Sequence, residues 1–114
     1  MGRGMTRFPE IVARLPEADV SFKGVKVRLL QGPTASAIFV EVREEAEVPE
    51  HSHGAQWGIV VAGEMDLTIG GMTRTYHRGD EYVIAAGVPH GAKLRAGTRV
   101  IDFFDDPNRY RPRP

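Results

Sequence analysis

Residues 25 to 104 break into short β-prone runs, each stopped by glycine, proline or charge, and this rhythm constrains the fold more than any other feature. The pattern predicts strands at 25–30, 35–43, 56–62, 65–69, 73–76, 81–84, 92–94 and 98–104. Turn signals stand between them at Gln31-Gly32-Pro33, Gly63-Glu64, Gly70-Gly71, Arg78-Gly79-Asp80 and Ala96-Gly97. Gly70-Gly71 can supply two positive φ angles, so residues 65–76 read as a tight hairpin. Strands this short at such even spacing predict an all-β fold closed as a jelly-roll barrel, which leaves few exposed edges. Ahead of them, PEIVARL (residues 9–15) predicts a short N-terminal helix. Its proline sits where a first turn tolerates one, and Pro16 ends it. The 114 residues suffice for one domain with its own core. The expected division is a lead-in with the short helix over 1–24, its first eight residues flexible, a barrel over 25–105 and a tail over 106–114.

The run at 56–62 shows what covers the barrel. Gln56, Gly58, Val60 and Ala62 share one face; Trp57, Ile59 and Val61 share the other. Both faces are largely apolar, so both need cover. The barrel interior covers one. For the Trp57/Ile59/Val61 stripe the economical answer is a second copy of the chain in a homodimer, and the alternative is the N-terminal segment with Phe8, Ile11 and Leu15.

Composition narrows the function. Fifteen basic residues balance fifteen acidic ones, which argues against general affinity for nucleic acid or an anionic membrane. No apolar run approaches the ~20 residues that span a bilayer. The N-terminal Met-Gly-Arg-Gly-Met-Thr-Arg has charge but no apolar stretch after it, unlike a signal peptide. A cytoplasmic protein acting on a small molecule is the expectation. With no cysteine, disulfides, thiolate metal sites and thiol nucleophiles are excluded.

The chemistry lies in the histidines. His51 and His53 form an H-S-H pair, and an i, i+2 pair on one strand points both imidazoles the same way. If the fold returns His90 to that face, three neutral nitrogens converge, a set suited to a first-row divalent ion: Zn, Ni, Mn, Fe or Co. The bland alternative makes one or two of them core residues bonded to backbone. His77, beside Arg78 at a hairpin end, reads as a solvated strand end. Tyr76 and Tyr82 could face in or out. Arg28, Glu41 and Arg43 have the alternation to place one polar group inside, but read as solvated.

Two segments together resemble the cupin superfamily. V-P-E-H-S-H-G-A-Q-W-G-I-V-V-A-G matches its first motif with His51, His53, Gln56 and Gly63. G-D-E-Y-V-I-A-A-G-V-P-H matches its second with Gly79, Gly87 and His90, and with Ala85 where the family has proline. The resemblance spans roughly 25 to 104. It implies a small β-barrel with the histidines inside, and a metal held by His51, His53, Gln56 and His90. Two departures matter. Gln56 replaces the family's acidic ligand, and it follows His53 one residue sooner than in the common form. Glutamine offers a carbonyl oxygen but no charge. The expected ion is therefore less tightly held, more strongly polarising and more attractive to an anion such as a sugar acid or a 2-oxo acid.

The His-His-Gln-His set also resembles small cupins that act on unsaturated uronates. Those carry an aspartate on a late strand, a phenylalanine two residues on and an arginine soon after. R-V-I-D-F-F-D-D-P-N-R offers Asp102, Phe104 and Arg109, the arginine one place late. The resemblance implies Asp102 as acid or base and Arg109 as a grip on a carboxylate. Otherwise Asp102 pairs with a surface arginine, and Arg109 and Tyr110 simply close the C-terminus. Alternation puts either Asp102 and Phe104 or Ile101 and Phe103 inside. The leading reading is a metal-dependent isomerase or lyase. The competing readings are an iron-dependent dioxygenase, a non-catalytic ligand-binding cupin, and a structural dimer with a relic site.

Overall fold

The computed structural model describes residues 7–114, and the lead-in expected over residues 1–8 lies mostly outside the described residues. One short helix, α1 (Glu10–Ala13), precedes nine strands: β1 (Val25–Gln31), β2 (Ser36–Val42), β3 (Ala46–His51), β4 (Gln56–Ala62), β5 (Glu64–Ile69), β6 (Met72–His77), β7 (Glu81–Ile84), β8 (His90–Leu94) and β9 (Arg99–Phe104). α1 is a single turn in which the Pro9 carbonyl accepts from the N–H groups of Val12 and Ala13. No helix among the described residues is long and apolar enough to cross a membrane.

The strands form two antiparallel sheets that face each other as a jelly-roll barrel. One has the order β1-β2-β9-β4-β7, the other β3-β8-β5-β6. Alternation along each strand sends Leu29, Ile38, Val60 and Val100 inward from the first sheet, and Met65, Leu67 and Leu94 from the second. The β5–β6 hairpin turns on Gly70 and Gly71 with φ of 57° and 83°, as the glycine pair predicts.

One strand was hidden. β3 (AEVPEH) contains three charged or ionisable side chains and a proline, so it does not read as β from sequence. It lies at a sheet edge, and its register against β8 shifts between Val48 and His51, around Pro49. Proline is tolerated at such a place because no neighbour needs its missing N–H. The ladder resumes at His51 opposite His90 and then ends. The expectation that His51 and His53 share a strand is therefore corrected: His51 closes β3, and His53 lies in the loop leading to β4.

The outer face of the first sheet also differs from expectation. Phe8 is buried and packs edge-on against Phe39, ring centroids 5.5 Å apart, and its N–H donates to Glu41 Oε2 at 2.8 Å. The N-terminal segment thus covers the β2 side and not the Trp57 stripe; Ile11 is exposed and Trp57 remains 37% exposed. Glu41 is buried beneath that segment instead of sitting on a solvated face. Arg28 reaches the Leu15 carbonyl at 3.2 Å, and Arg43 stays exposed.

Residues 17–19 meet residues 111–113 over the barrel. The Asp19 N–H donates to Arg111 O at 2.7 Å, and the Arg113 N–H to Glu17 O at 2.8 Å. This pairing sets Val20, Phe22 and Tyr110 around the cavity between the sheets.

Candidate metal centre

Three separate elements deliver the histidines to one end of the barrel. His51 ends β3, His90 begins β8 directly opposite it, and His53 comes from the following loop. One ring nitrogen from each lies within 4.8 Å of the other two. Ring centroids are 4.3 Å apart for His51 and His90, 4.7 Å for His53 and His90, and 5.2 Å for His51 and His53.

The backbone fixes which nitrogen faces inward. Each Nδ1 lies 2.9 Å from a carbonyl oxygen: Pro49 for His51, Gly54 for His53 and Val88 for His90. A carbonyl only accepts, so each Nδ1 carries the proton and donates it. Each Nε2 is then left with a bare lone pair, the arrangement that a hydrogen-bond acceptor on the other ring nitrogen imposes on metal-binding histidines. The Nε2 atoms of His53 and His90 nevertheless stand 3.1 Å apart. Two lone pairs repel at that distance unless a cation lies between them. Two nitrogens bound to one ion at about 2.1 Å are separated by about 3.0–3.4 Å, so the spacing suits shared coordination. Burial lowers the pKa of both His53 and His90, with the Arg109 charge adding to it, which keeps the lone pairs free.

Gln56 begins β4 and lines the same cavity. Its Oε1 is buried with no hydrogen-bond partner among the described residues. A buried orphan acceptor is costly, and an ion is one group that would satisfy it. The donor set therefore fits a divalent first-row ion: three imidazole nitrogens and one amide oxygen, with no ligand charge.

One inward step deeper lies a second polar cluster. Gly58 of β4 is flanked by Tyr82 of β7 and Asp102 of β9. The two side chains stand one strand apart on either side, about 9.5 Å between backbones, and the tyrosine spans that gap by lying over Gly58. Tyr82 Oη donates to Asp102 Oδ1 at 2.6 Å. A Cβ at Gly58 would stand 2.3 Å from both the tyrosine ring and Asp102 Oδ1, so only glycine fits there. Burial raises the Asp102 pKa, opposed by hydrogen bonds from Tyr82 and the Gln56 side chain. Burial and the neighbouring Asp102 push Tyr82 well above its ordinary value, so it remains a donor.

β9 points Asp102 and Phe104 inward and leaves Phe103 46% exposed, which decides the alternation left open by sequence. Arg109 lies over the rings of Tyr110 and Phe104, at 4.4 and 5.8 Å from their centroids, on the rim beside His51 and His53. Phe104 also touches the His53 ring edge-on at 5.4 Å. Tyr76 is buried against Tyr82. His77 is exposed beside Glu64 and Asp80, as expected of a strand end. The sequence reading missed the Tyr82–Asp102 pair. Its available signal was Gly58, a glycine inside an apolar strand, which marks a close approach of another group.

Comparison with known proteins agrees with this architecture. The chain is similar to an RmlC-like cupin from Shewanella frigidimarina, at 26% identity over 92% of this chain and 96% of that one, with a TM-score of 0.77. It is similar to KdgF from Halomonas sp., at 26% identity over 100% and 96%, with a TM-score of 0.73. A variant of oxalate decarboxylase from Bacillus subtilis shares the fold over 85% of this chain and 29% of its own length, at 18% identity and a TM-score of 0.73. No curated protein sequence matches. The model of the cupin domain matches residues 38–103, which hold His51, His53, Gln56, His90 and Asp102. With both histidine segments inside that match and the barrel closed around them, this chain belongs to the cupin family.

Proposed function

We propose that the protein is a metal-dependent enzyme, of isomerase or lyase type, acting on a small anionic substrate. His51, His53, His90 and Gln56 would hold a divalent ion. When bound, such an ion supplies Lewis acidity toward a carbonyl or hydroxyl oxygen. The observation that carries this reading is the 3.1 Å approach of two Nε2 atoms whose rings donate their Nδ1–H groups to backbone carbonyls.

The chain's own residues supply the rest. Asp102, held through Oδ1 by Tyr82, gives or takes a proton at Oδ2, and its raised pKa keeps it protonated to higher pH than an exposed carboxyl. Arg109 on the rim grips a carboxylate, and its stacking on Tyr110 and Phe104 fixes the guanidinium plane. The ligand set brings no negative charge, so an anion would meet a cationic centre.

Metal analysis of the purified protein before and after chelation tests this. About one first-row ion per chain is expected, with Asp102→Asn lowering turnover at unchanged metal content. A protein that ignores added Zn, Ni and Mn ends the enzyme reading. Metal and ligand binding without turnover favours a ligand-binding cupin, and oxygen consumption by iron-loaded protein favours a dioxygenase.

The same reading includes a homodimer through the outer face of the first sheet. Leu30, Ala37, Phe103, Trp57 and Val83 form one row across all five strands, with Val83, Leu30, Phe103 and Trp57 between 71% and 37% exposed. A two-fold axis along the middle strand, β9, would lay Trp57 over Ala37, Leu30 over Val83 and Phe103 over its own copy. Large side chains thus meet smaller ones across a second copy. Phe103→Glu places two like charges at the axis, so a sedimenting dimer should become monomeric. A wild-type protein that stays monomeric at about 100 μM, far above a typical dimer's micromolar Kd, removes the proposal.

A further inference from the structure

We infer that the ligand of this cavity carries a small apolar body behind its charged, metal-seeking head: a 2-oxo or 2-hydroxy acid with an alkyl or aryl tail rather than a polyhydroxylated sugar acid. This rests on the metal-and-anion reading above and narrows it. The cavity between the sheets is compact, about 100 Å³. Its polar groups are few and gathered in one place. Three histidines and Gln56 face the candidate ion, the Asp102–Tyr82 pair lies one step below them, and Tyr110 adds one further hydroxyl to the lining.

These polar groups are also largely committed. All three histidine Nδ1 atoms are bonded to backbone, and the Tyr82 hydroxyl is spent on Asp102. Arg28, Glu41 and Arg43, the other polar groups on the barrel strands that could have turned inward, do not line the cavity. Glu41 is instead occupied by the Phe8 N–H on the far side of the sheet. A sugar acid needs a partner for each hydroxyl it buries, and every hydroxyl without one costs affinity.

The remaining wall is hydrocarbon that the fold has not fully covered. Val20, Val25, Val48 and Ala92 line the cavity while staying partly exposed, and Phe22 stands beside them at 36% exposure. Removing such surface from water favours binding at about fourfold in affinity per methylene. Arg109 lies on the rim with His51 and His53, where it would meet the carboxylate, and Phe22 and Val48 line the same rim, where the tail would begin.

The test is calorimetric titration of zinc-loaded and zinc-free protein with pyruvate, 2-oxobutyrate, 3-methyl-2-oxobutanoate and galacturonate. The expected result is zinc-dependent binding of the three oxo acids, tightening about fourfold per added carbon, with galacturonate no tighter than pyruvate. Phe22→Ala should reduce the gain from the tail and leave pyruvate and zinc binding unchanged; a melting curve checks that it folds. Zinc-dependent binding in which galacturonate wins, or in which the tail adds nothing, overturns this inference while the metal reading stands. Binding that is the same with and without zinc overturns the metal reading and this inference with it.

Discussion

The histidine cluster and the Asp102–Tyr82 pair sit one strand step apart in the same cavity, yet burial acts on them in opposite senses. Desolvation disfavours charge in both. For His53 and His90 this means losing the proton, which frees their nitrogens as ligands. For Asp102 it means holding the proton to higher pH than an exposed carboxyl does. One apolar environment thus prepares a base-like set and an acid side by side. The two regions also differ in how they are held. The histidines are aimed by backbone carbonyls from nearby residues, whereas Asp102 depends on a tyrosine reaching across another strand.

Removing one histidine should separate the regions most sharply. His90→Ala is expected to abolish stoichiometric metal binding and the stabilisation it gives, about 4 kcal/mol at a thousandfold excess of metal over Kd. Metal-free His90→Ala should melt close to metal-free wild type. Equal loss in both forms would mean that His90 is a packing residue and not a ligand.

Gly58→Ala attacks the other region. The new methyl has to displace Tyr82 or Asp102, at a cost of about 1–3 kcal/mol from overpacking. Metal stoichiometry should survive, because the atoms nearest the new methyl belong to Asp102 and Tyr82. Tyr82→Phe should cost a similar or smaller amount by leaving Asp102 Oδ1 without its donor. If either variant instead loses its metal, the two clusters form a single unit.

The smallest effect is in the pH dependence of the metal-free protein. With histidine pKa values lowered on folding, the unfolded chain binds more protons below about 6.5, so stability falls with pH from there. Asp102 has the opposite sign. Its raised pKa lets the folded state hold a proton above the ordinary 3.8, and this adds stability as pH falls toward that value. Asp102→Asn removes the second contribution, so its stability should fall more steeply between pH 6.5 and 4. Chemical denaturation at several pH values measures both slopes. Identical slopes for the two proteins would mean that the Asp102 carboxyl is not perturbed.

Much of this was legible in the sequence where a local rule sufficed. Gly70-Gly71 specified its hairpin, and the alternation of residues 56–62 put Gln56 and Gly58 inside and Trp57 outside. Legibility failed where register or a partner decides. Asp102 and Ile101 were equal candidates until β9 paired with β2 and β4. β3 was concealed because its edge position tolerates charge and proline that a central strand would reject. Glu41 was read as solvated because nothing local announces that Phe8, more than thirty residues upstream, lies on it.

The three Nδ1 contacts span only one or two residues each: His51 to Pro49, His53 to Gly54, His90 to Val88. Ring direction is therefore written into three short peptide segments, while bringing the rings together is left to the barrel. An ion entering the closed barrel would find its donors already turned, with little side-chain entropy left to surrender. Uptake would then run at the pace at which the hydrated ion sheds its water, faster for zinc than for nickel, and would not wait on any motion of the protein.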